Sequence, residues 1–434
     1  MQTHVSMKNE FARPCMTVMN FLNEATYRYR DAISLAAGRP PDQFVSAERA
    51  GDWISIFVRE RTCATGLSEE AVWRSLGQYG PTNGMIADLV ARLLARDEGM
   101  SPAPESLMIT NGMQEALLLL LLGTCDGSRD VVLSDDPTYV GLTGAATLVG
   151  VPVVTLPTGG TMLKRVSRAL EAVHVTGRRA RALYLIPDFS NPLGSTLALA
   201  ERQQLLDLAR CEELLLIEDT AYRAFRYEGE TIPSLKALDR DGVVVQVGSF
   251  SKLFMPGPRI GYLYADQGAV IDGVLTRSSL AEELSKAKSF VSVLTSPLVQ
   301  AMLGGFLIEQ GFTLAAWNRP RLRLCRENRD ALIATLEERV GADSMLRGSV
   351  HWTRPDGGFF LTVTLPFPFG TDEMMTCARD YHVIVCPMAY FSTESEFACC
   401  VRLSFSNITP EHGREGVVRL HRFIRDEVAR RGCK

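Results

Sequence analysis

Lysine is scarce in this chain: seven among 434 residues, within 46 Lys plus Arg. Histidine is scarcer, at six, and none stands in an HExxH or comparable spacing, so no metal is expected. An excess of one charge is also lacking. A formal net charge of −4 removes the attraction that draws basic proteins to nucleic acid or anionic membranes, and neither partner is expected. No apolar run approaches the roughly 20 residues of a membrane helix; the longest, Ala116 to Leu122, is far shorter. The N-terminal stretch MQTHVSMKNEFARPC has no apolar core of signal-peptide type. Ten cysteines are present, but they form no CxxC pair and no disulfide framework. Reduced thiols in a cytoplasmic protein are the expectation. The neighbours Cys399 and Cys400 read as strand residues facing opposite sides.

What is present is a large core and a strand–helix rhythm. Apolar residues make up 46% of the chain and charged residues 22%, the balance of a globular protein. SLMIT (106–110), DVVLS (130–134), VPVVTLP (151–157), ALYLI (182–186), ELLLIED (213–219), GVVVQVG (242–248) and RIGYLYA (259–265) are short apolar runs, and helix-length segments separate most of them. Apolar strands alternating with helices predict an α/β fold with a mostly parallel central sheet covered on both faces. From about 290 to 340 the chain reads as long helices, with RPRLRLCRENR as the wet face of one. SVHWTRPDGGFFLTVTLP and FACCVRLSFSN then alternate as antiparallel strands do, and GREGVVRLHRFIRDEVARR is a closing helix. Three parts are expected: an N-terminal arm (1–45) joining the smaller lobe, a large α/β domain (46–300), and a small C-terminal α+β domain (301–434).

Ligands of open parallel sheets bind beyond the C-terminal ends of the strands. The first strand delivers Asn111, Gly112, Met113 and Gln114 at a helix start, where free N–H groups favour a phosphate. The next deliver Asp135, Asp136 and Tyr139, then Asn191, then Asp219 and Tyr222. The last pair delivers Ser249, Ser251, Lys252 and Arg259. A lysine alone in a Ser/Pro/Gly loop is ordinarily a surface group. Here it converges with an anion site, an aromatic face, a carboxylate, a phenol and an amide. Lysine forms a Schiff base with an aldehyde. The cofactor with an aldehyde, a phosphate, a pyridine nitrogen and a phenolic oxygen is pyridoxal 5′-phosphate, PLP.

The segments QYGPTNG, ITNGMQEAL, DDPTYVG, PDFSNPLG, IEDTAYRAF, GSFSKLFMPGPRIGY, RPDGGFF and VRLSFSN, in this order, resemble the fold-type I PLP-dependent enzymes of the class I/II aminotransferase family, over about residues 30–425. Within it the chain is similar to the α-aminoadipate/kynurenine-type aminotransferases and to the PLP-binding domains of MocR-type regulators. The resemblance implies that Lys252 carries PLP as an aldimine and shuttles the substrate proton. It gives Asp219 the pyridine nitrogen, Tyr222 and Asn191 the phenolic oxygen, and Tyr139 the ring face. Gly112, Met113, Gln114, Ser249, Ser251 and Arg259 would hold the phosphate, and Tyr79 would reach the phosphate of the neighbouring subunit in a homodimer. Arg402 would grip the substrate α-carboxylate with Gly38 and Asn191 close by. Arg39 is a candidate contact to the substrate side chain, against its reading as a solvated arm residue.

The implied reaction moves the amino group of an α-amino acid to a 2-oxo acid. A second reading keeps the scaffold and uses the carbanion for elimination, substitution, cyclisation or oxidation. A third, a non-catalytic PLP sensor, fits poorly with intact Lys252 and Arg402. The departures from the family pattern cluster where the substrate would lie. Met113 replaces a serine, Pro387-Met388-Ala389 replaces Pro-Gly-Gly, and AAGRPP lacks a second glycine.

Overall fold

In a computed structural model, the structure describes residues 5, 6, 9–12, 16, 18, 21, 24, 27–392 and 395–432. Its centre is a seven-stranded sheet: β1 (Leu107–Thr110), β2 (Asp130–Ser134), β3 (Val153–Thr155), β4 (Arg179–Leu185), β5 (Leu215–Asp219), β6 (Val244–Ser249) and β7 (Gly261–Tyr264). The strands lie in the order β1-β7-β6-β5-β4-β2-β3. β7 runs antiparallel to both of its neighbours, and every other pairing is parallel. These strands are apolar on both faces because helices cover both. Ala182, Ile217 and Val245 face one core with Leu117 and Leu120, whereas Leu183, Leu216 and Val244 face another with Val166 and Leu205. Helices Ala50–Thr65, Ala87–Glu98 and Pro297–Glu309 build a third core against β1 and β7. Two of them cross so closely that a Cβ on Gly305 would fall 1.7 Å from the Trp53 carbonyl oxygen. Only glycine permits that approach.

The C-terminal part carries a four-stranded antiparallel sheet of His351–Trp352, Phe360–Thr364, Cys400–Ser404 and Cys386–Pro387. Its core of Leu332, Leu361, Leu403, Leu420 and Phe423 sits under helices Ala315–Leu336 and Pro410–Arg431. The N-terminal strand Ile33–Ser34 pairs in parallel with Val383–Ile384, so the N-terminal segment joins the C-terminal part there. Among the described residues, no helix is long and apolar enough to cross a membrane.

Two expectations differ from the structure. Cys399 lies in a turn, and the strand begins at Cys400. The Arg-rich run is not uniformly wet: Arg321 and Arg329 are buried. Arg321 donates to the Phe44 carbonyl at 2.9 Å and Arg329 to the Pro355 carbonyl at 2.8 Å. The helix lies between the two sheets, and these guanidinium groups satisfy loop carbonyls outside any ladder.

Candidate active site

The loop after β6 is pinned by Phe250, Phe254 and Met255, all buried in the core, which leaves Lys252 at the loop tip facing inward. Its Nζ donates to the Gly38 carbonyl at 2.7 Å. Burial pulls the amine down to about 8, helped by the Arg259 and Arg402 cations and opposed by Asp219. Asp219 ends β5 and is 1% exposed. One of its oxygens accepts from the Tyr184 hydroxyl at 2.7 Å and the other from the Ala221 N–H at 2.9 Å. Burial still pushes this carboxyl up to about 6. Beside it, the buried Tyr222 phenol is raised far above its ordinary value, chiefly by burial, and hydrogen-bonds to Asn191.

At one end of the cavity, helix Met113–Thr124 presents its first turn. Gly112 precedes it at φ +75°, and a Cβ there would lie 2.6 Å from Nη2 of Arg259. The close approach and the positive φ both require glycine. Arg259 donates to Ser251 Oγ at 3.2 Å, and Ser249 Oγ accepts from the Ser251 N–H at 3.2 Å. The open N–H groups of Met113 and Gln114 with the Arg259 fork form an anion cradle. Gln114 Nε2 donates to the Gly141 carbonyl at 2.7 Å, and the Tyr139 hydroxyl donates to Gln114 Oε1 at 3.3 Å. Tyr139 thus stands over the cavity, its phenol raised to about 12 by burial.

The other end is built by the smaller sheet. Arg402, in Cys400–Ser404, is 4% exposed. Its Nη1 donates to Asn191 Oδ1 at 2.6 Å and its Nη2 to the Ala36 carbonyl at 2.7 Å. Its guanidinium lies 4.1 Å from the Phe360 ring centre and 4.7 Å from that of Phe391. Its buried Nε has no hydrogen-bond partner among the described residues. Gly38 backs onto Phe360, whose Cζ would be 2.3 Å from an added Cβ. Arg39 lines the cavity but is paired with Asp42 at 3.2 Å.

These groups enclose about 490 Å³ between the two sheets. The structure therefore brings together every site residue expected from the sequence except Tyr79, which is 84% exposed and lies outside this cavity. Asp135 turns away to Arg165 at 2.6 Å, and Asp136 accepts from Ser392 at 2.6 Å. Tyr184, Phe360, Phe391 and the Ala36 carbonyl were not foreseen. Tyr184 alone had a signal: a phenol inside an apolar strand needs a partner, and the next strand ends in Asp219. Chemically, the cavity offers a helix start with Arg259 at one end and the Arg402 guanidinium at the other, both suited to anions, with a depressed amine between them.

The sequence pattern of the family described as aminotransferase class I and II matches residues 63–420. The chain is 40% identical over 429 residues to the (S)-3,5-dihydroxyphenylglycine transaminase of Amycolatopsis orientalis, covering 98% of this chain and 95% of that one. It is 30% identical to the 2-aminoadipate transaminase of Thermus thermophilus, over 92% of this chain and 91% of that one. Among solved structures, the α-aminoadipate aminotransferase of Thermus thermophilus complexed with N-(5′-phosphopyridoxyl)-L-leucine superposes with a TM-score of 0.77 at 27% identity, covering 98% of each chain. The chain belongs to the class I and II aminotransferases, PLP-dependent transferases of fold type I that move an amino group from an amino acid to a 2-oxo acid.

Proposed function

We propose that this aminotransferase holds PLP at Lys252 and takes as donor an amino acid with an uncharged, aromatic side chain. The residues present fit the cofactor. The tight Gly112–Arg259 cradle suits its phosphate, and the buried Asp219 suits a protonated ring nitrogen. Asn191 and Tyr222 suit its phenolic oxygen, Tyr139 its face, and Ser249 and Ser251 support the phosphate end. When bound, PLP supplies the electron sink that stabilises a carbanion at the substrate Cα. The chain's own groups do the rest. Arg402 orients the α-carboxylate, and its unpartnered Nε offers a further donor to it. Lys252, depressed to about 8, has a neutral amine available to take and return the Cα proton.

The side-chain reading rests on a charge account of the cavity. Arg259 is committed to the phosphate, Arg402 to the α-carboxylate, and Arg39 is already neutralised by Asp42. Among the described residues, no further cation lines the cavity to meet a second carboxylate. Val140, Ile186, Phe360 and Phe391 supply apolar wall, and Val18, Ala36 and Met388 back it. The dihydroxyphenylglycine activity in the name of the 40%-identical relative supports the same class. Tyr79, exposed on one chain, suits a homodimer in which it reaches the partner's cradle. Eight cysteines that form no disulfide suit a reducing cytoplasm.

The observation that carries the reading is the depressed Lys252 amine in one cavity with Asp219 and Arg402. The test is to mix the PLP-loaded enzyme with a panel of amino acids and follow conversion of the cofactor to its amine form. Phenylglycines or other aromatic donors should convert it fastest, and a 2-oxo acid should restore it. Preference for aminoadipate or glutamate would overturn the side-chain assignment.

A further inference from the structure

Asp219 is an unusual carboxylate. It is buried, yet among the described residues no arginine, lysine or histidine lies within ion-pair distance of it. Among the described residues its donors are the Ala221 N–H on one oxygen and the Tyr184 hydroxyl on the other. The Ala221 bond comes from the backbone and does not depend on a side chain. The Tyr184 bond depends on one side chain, 2% exposed, reaching across from β4. The strands fix this reach, because Tyr184 pairs with Ile217, two residues before Asp219.

We propose that Tyr184 is the positioning residue that keeps Asp219 charged and aimed at the cofactor's ring nitrogen; this rests on the assignment of Asp219 to that nitrogen. The hydroxyl is suited to the task because it can only donate here. Burial and the neighbouring Asp219 both oppose loss of its proton. The titratable groups facing Asp219 are Tyr184 from β4, Tyr139 and Tyr222 from the flanking loops, and Lys252 from the loop after β6. Of these, Tyr184 alone gives Asp219 a side-chain hydrogen bond, and it opposes the upward push of burial. Without it, Asp219 protonates at higher pH and the partner of the ring nitrogen is lost sooner as pH falls.

The test is Tyr184→Phe, which removes one oxygen atom and keeps the packing. A hydrogen bond to a charged group corresponds to about one to two pH units. The variant, loaded with PLP, should keep its donor KM within about threefold, while the acidic limb of kcat moves up by about one unit. On that limb kcat falls about tenfold, and at alkaline pH it converges on the parent. The visible absorption of the bound cofactor, titrated without substrate, should show a shift in the same direction. A loss of kcat that is uniform across pH, or an unmoved limb and spectrum, overturns the proposal. Asp219→Asn, measured in parallel, separates the two assignments: if it keeps both turnover and spectrum, the Asp219 role itself fails. Should Tyr184→Phe not fold, a fluorinated tyrosine at position 184, a stronger donor of the same shape, should move the limb down. An unmoved limb there counts equally against the proposal.

Discussion

Lys288 and Lys252 both turn inward in this molecule, and they are held in opposite ways. Lys288 is 0% exposed and sits 3.1 Å from Glu115, with Ser292 Oγ at 2.9 Å. Glu115 in turn accepts from the backbone and the side chain of Asn111, at 2.7 and 3.1 Å, so the pair braces the turn before Gly112. Among the described residues Lys252 has no ion pair: its amine donates to a backbone carbonyl and lies 6.0 Å from the Tyr222 ring centre, and the Arg259 and Arg402 cations outweigh the help of Asp219. A buried cation with a carboxylate partner is part of the frame. One left without a partner, among other cations, is held ready for chemistry at a cost in stability.

That contrast can be broken by substitution. Lys252→Met should lower turnover by at least about a thousandfold, since nucleophile and proton carrier are both removed. The same change should raise the stability of the cofactor-free protein by about 1–3 kcal/mol at neutral pH. The sign follows from the direction of the shift. The folded-state value is depressed from 10.5 to about 8, so wild type gains stability as pH rises from about 8 to 10.5. Thermal melts across that window should therefore show the advantage of the variant fading to nothing. An advantage that persists at high pH would mean the amine is not destabilising.

Arg402→Lys should cut kcat/KM about a hundredfold, because the charge survives and the fork does not. Steady-state kinetics with one good donor decide it, and a loss under about threefold would remove Arg402 from the carboxylate clamp. Lys288→Met should do the reverse of Lys252→Met. It strands Glu115 and should cost about 3–5 kcal/mol in denaturant unfolding, with kcat of the folded protein near normal. If its main effect were on kcat, the division between frame and chemistry drawn from the two lysines would not stand.

The residues legible in the sequence are those delivered by contiguous motifs at strand ends. Asp219 and Lys252 follow apolar runs directly, so parallel-sheet geometry brings them together, and Arg259 joins them seven residues later, just before the antiparallel β7. Arg402 was legible only through resemblance, because a strand arginine carries no local mark. What stayed hidden depends on how distant segments pack. Gly38 proves to offer its carbonyl to Lys252, and Ala36 supplies the acceptor for Arg402. Arg39 is neutralised three residues on, by Asp42. Phe360 and Phe391 enter only because the smaller sheet folds over the larger one's strand ends. The antiparallel insertion of β7 also has no local signal, since RIGYLYA reads as apolar whichever way it runs.

The short stretch from Ala36 to Gly38 has a consequence of its own. Its two carbonyls tether the amine of Lys252 and the guanidinium of Arg402, groups contributed by different sheets. Two peptide units of the N-terminal segment thus act as a ruler between the two cations. Inserting or deleting one residue there would respace the two acceptors while leaving both cations in the sequence, so the length of this segment matters more than the identity of its side chains.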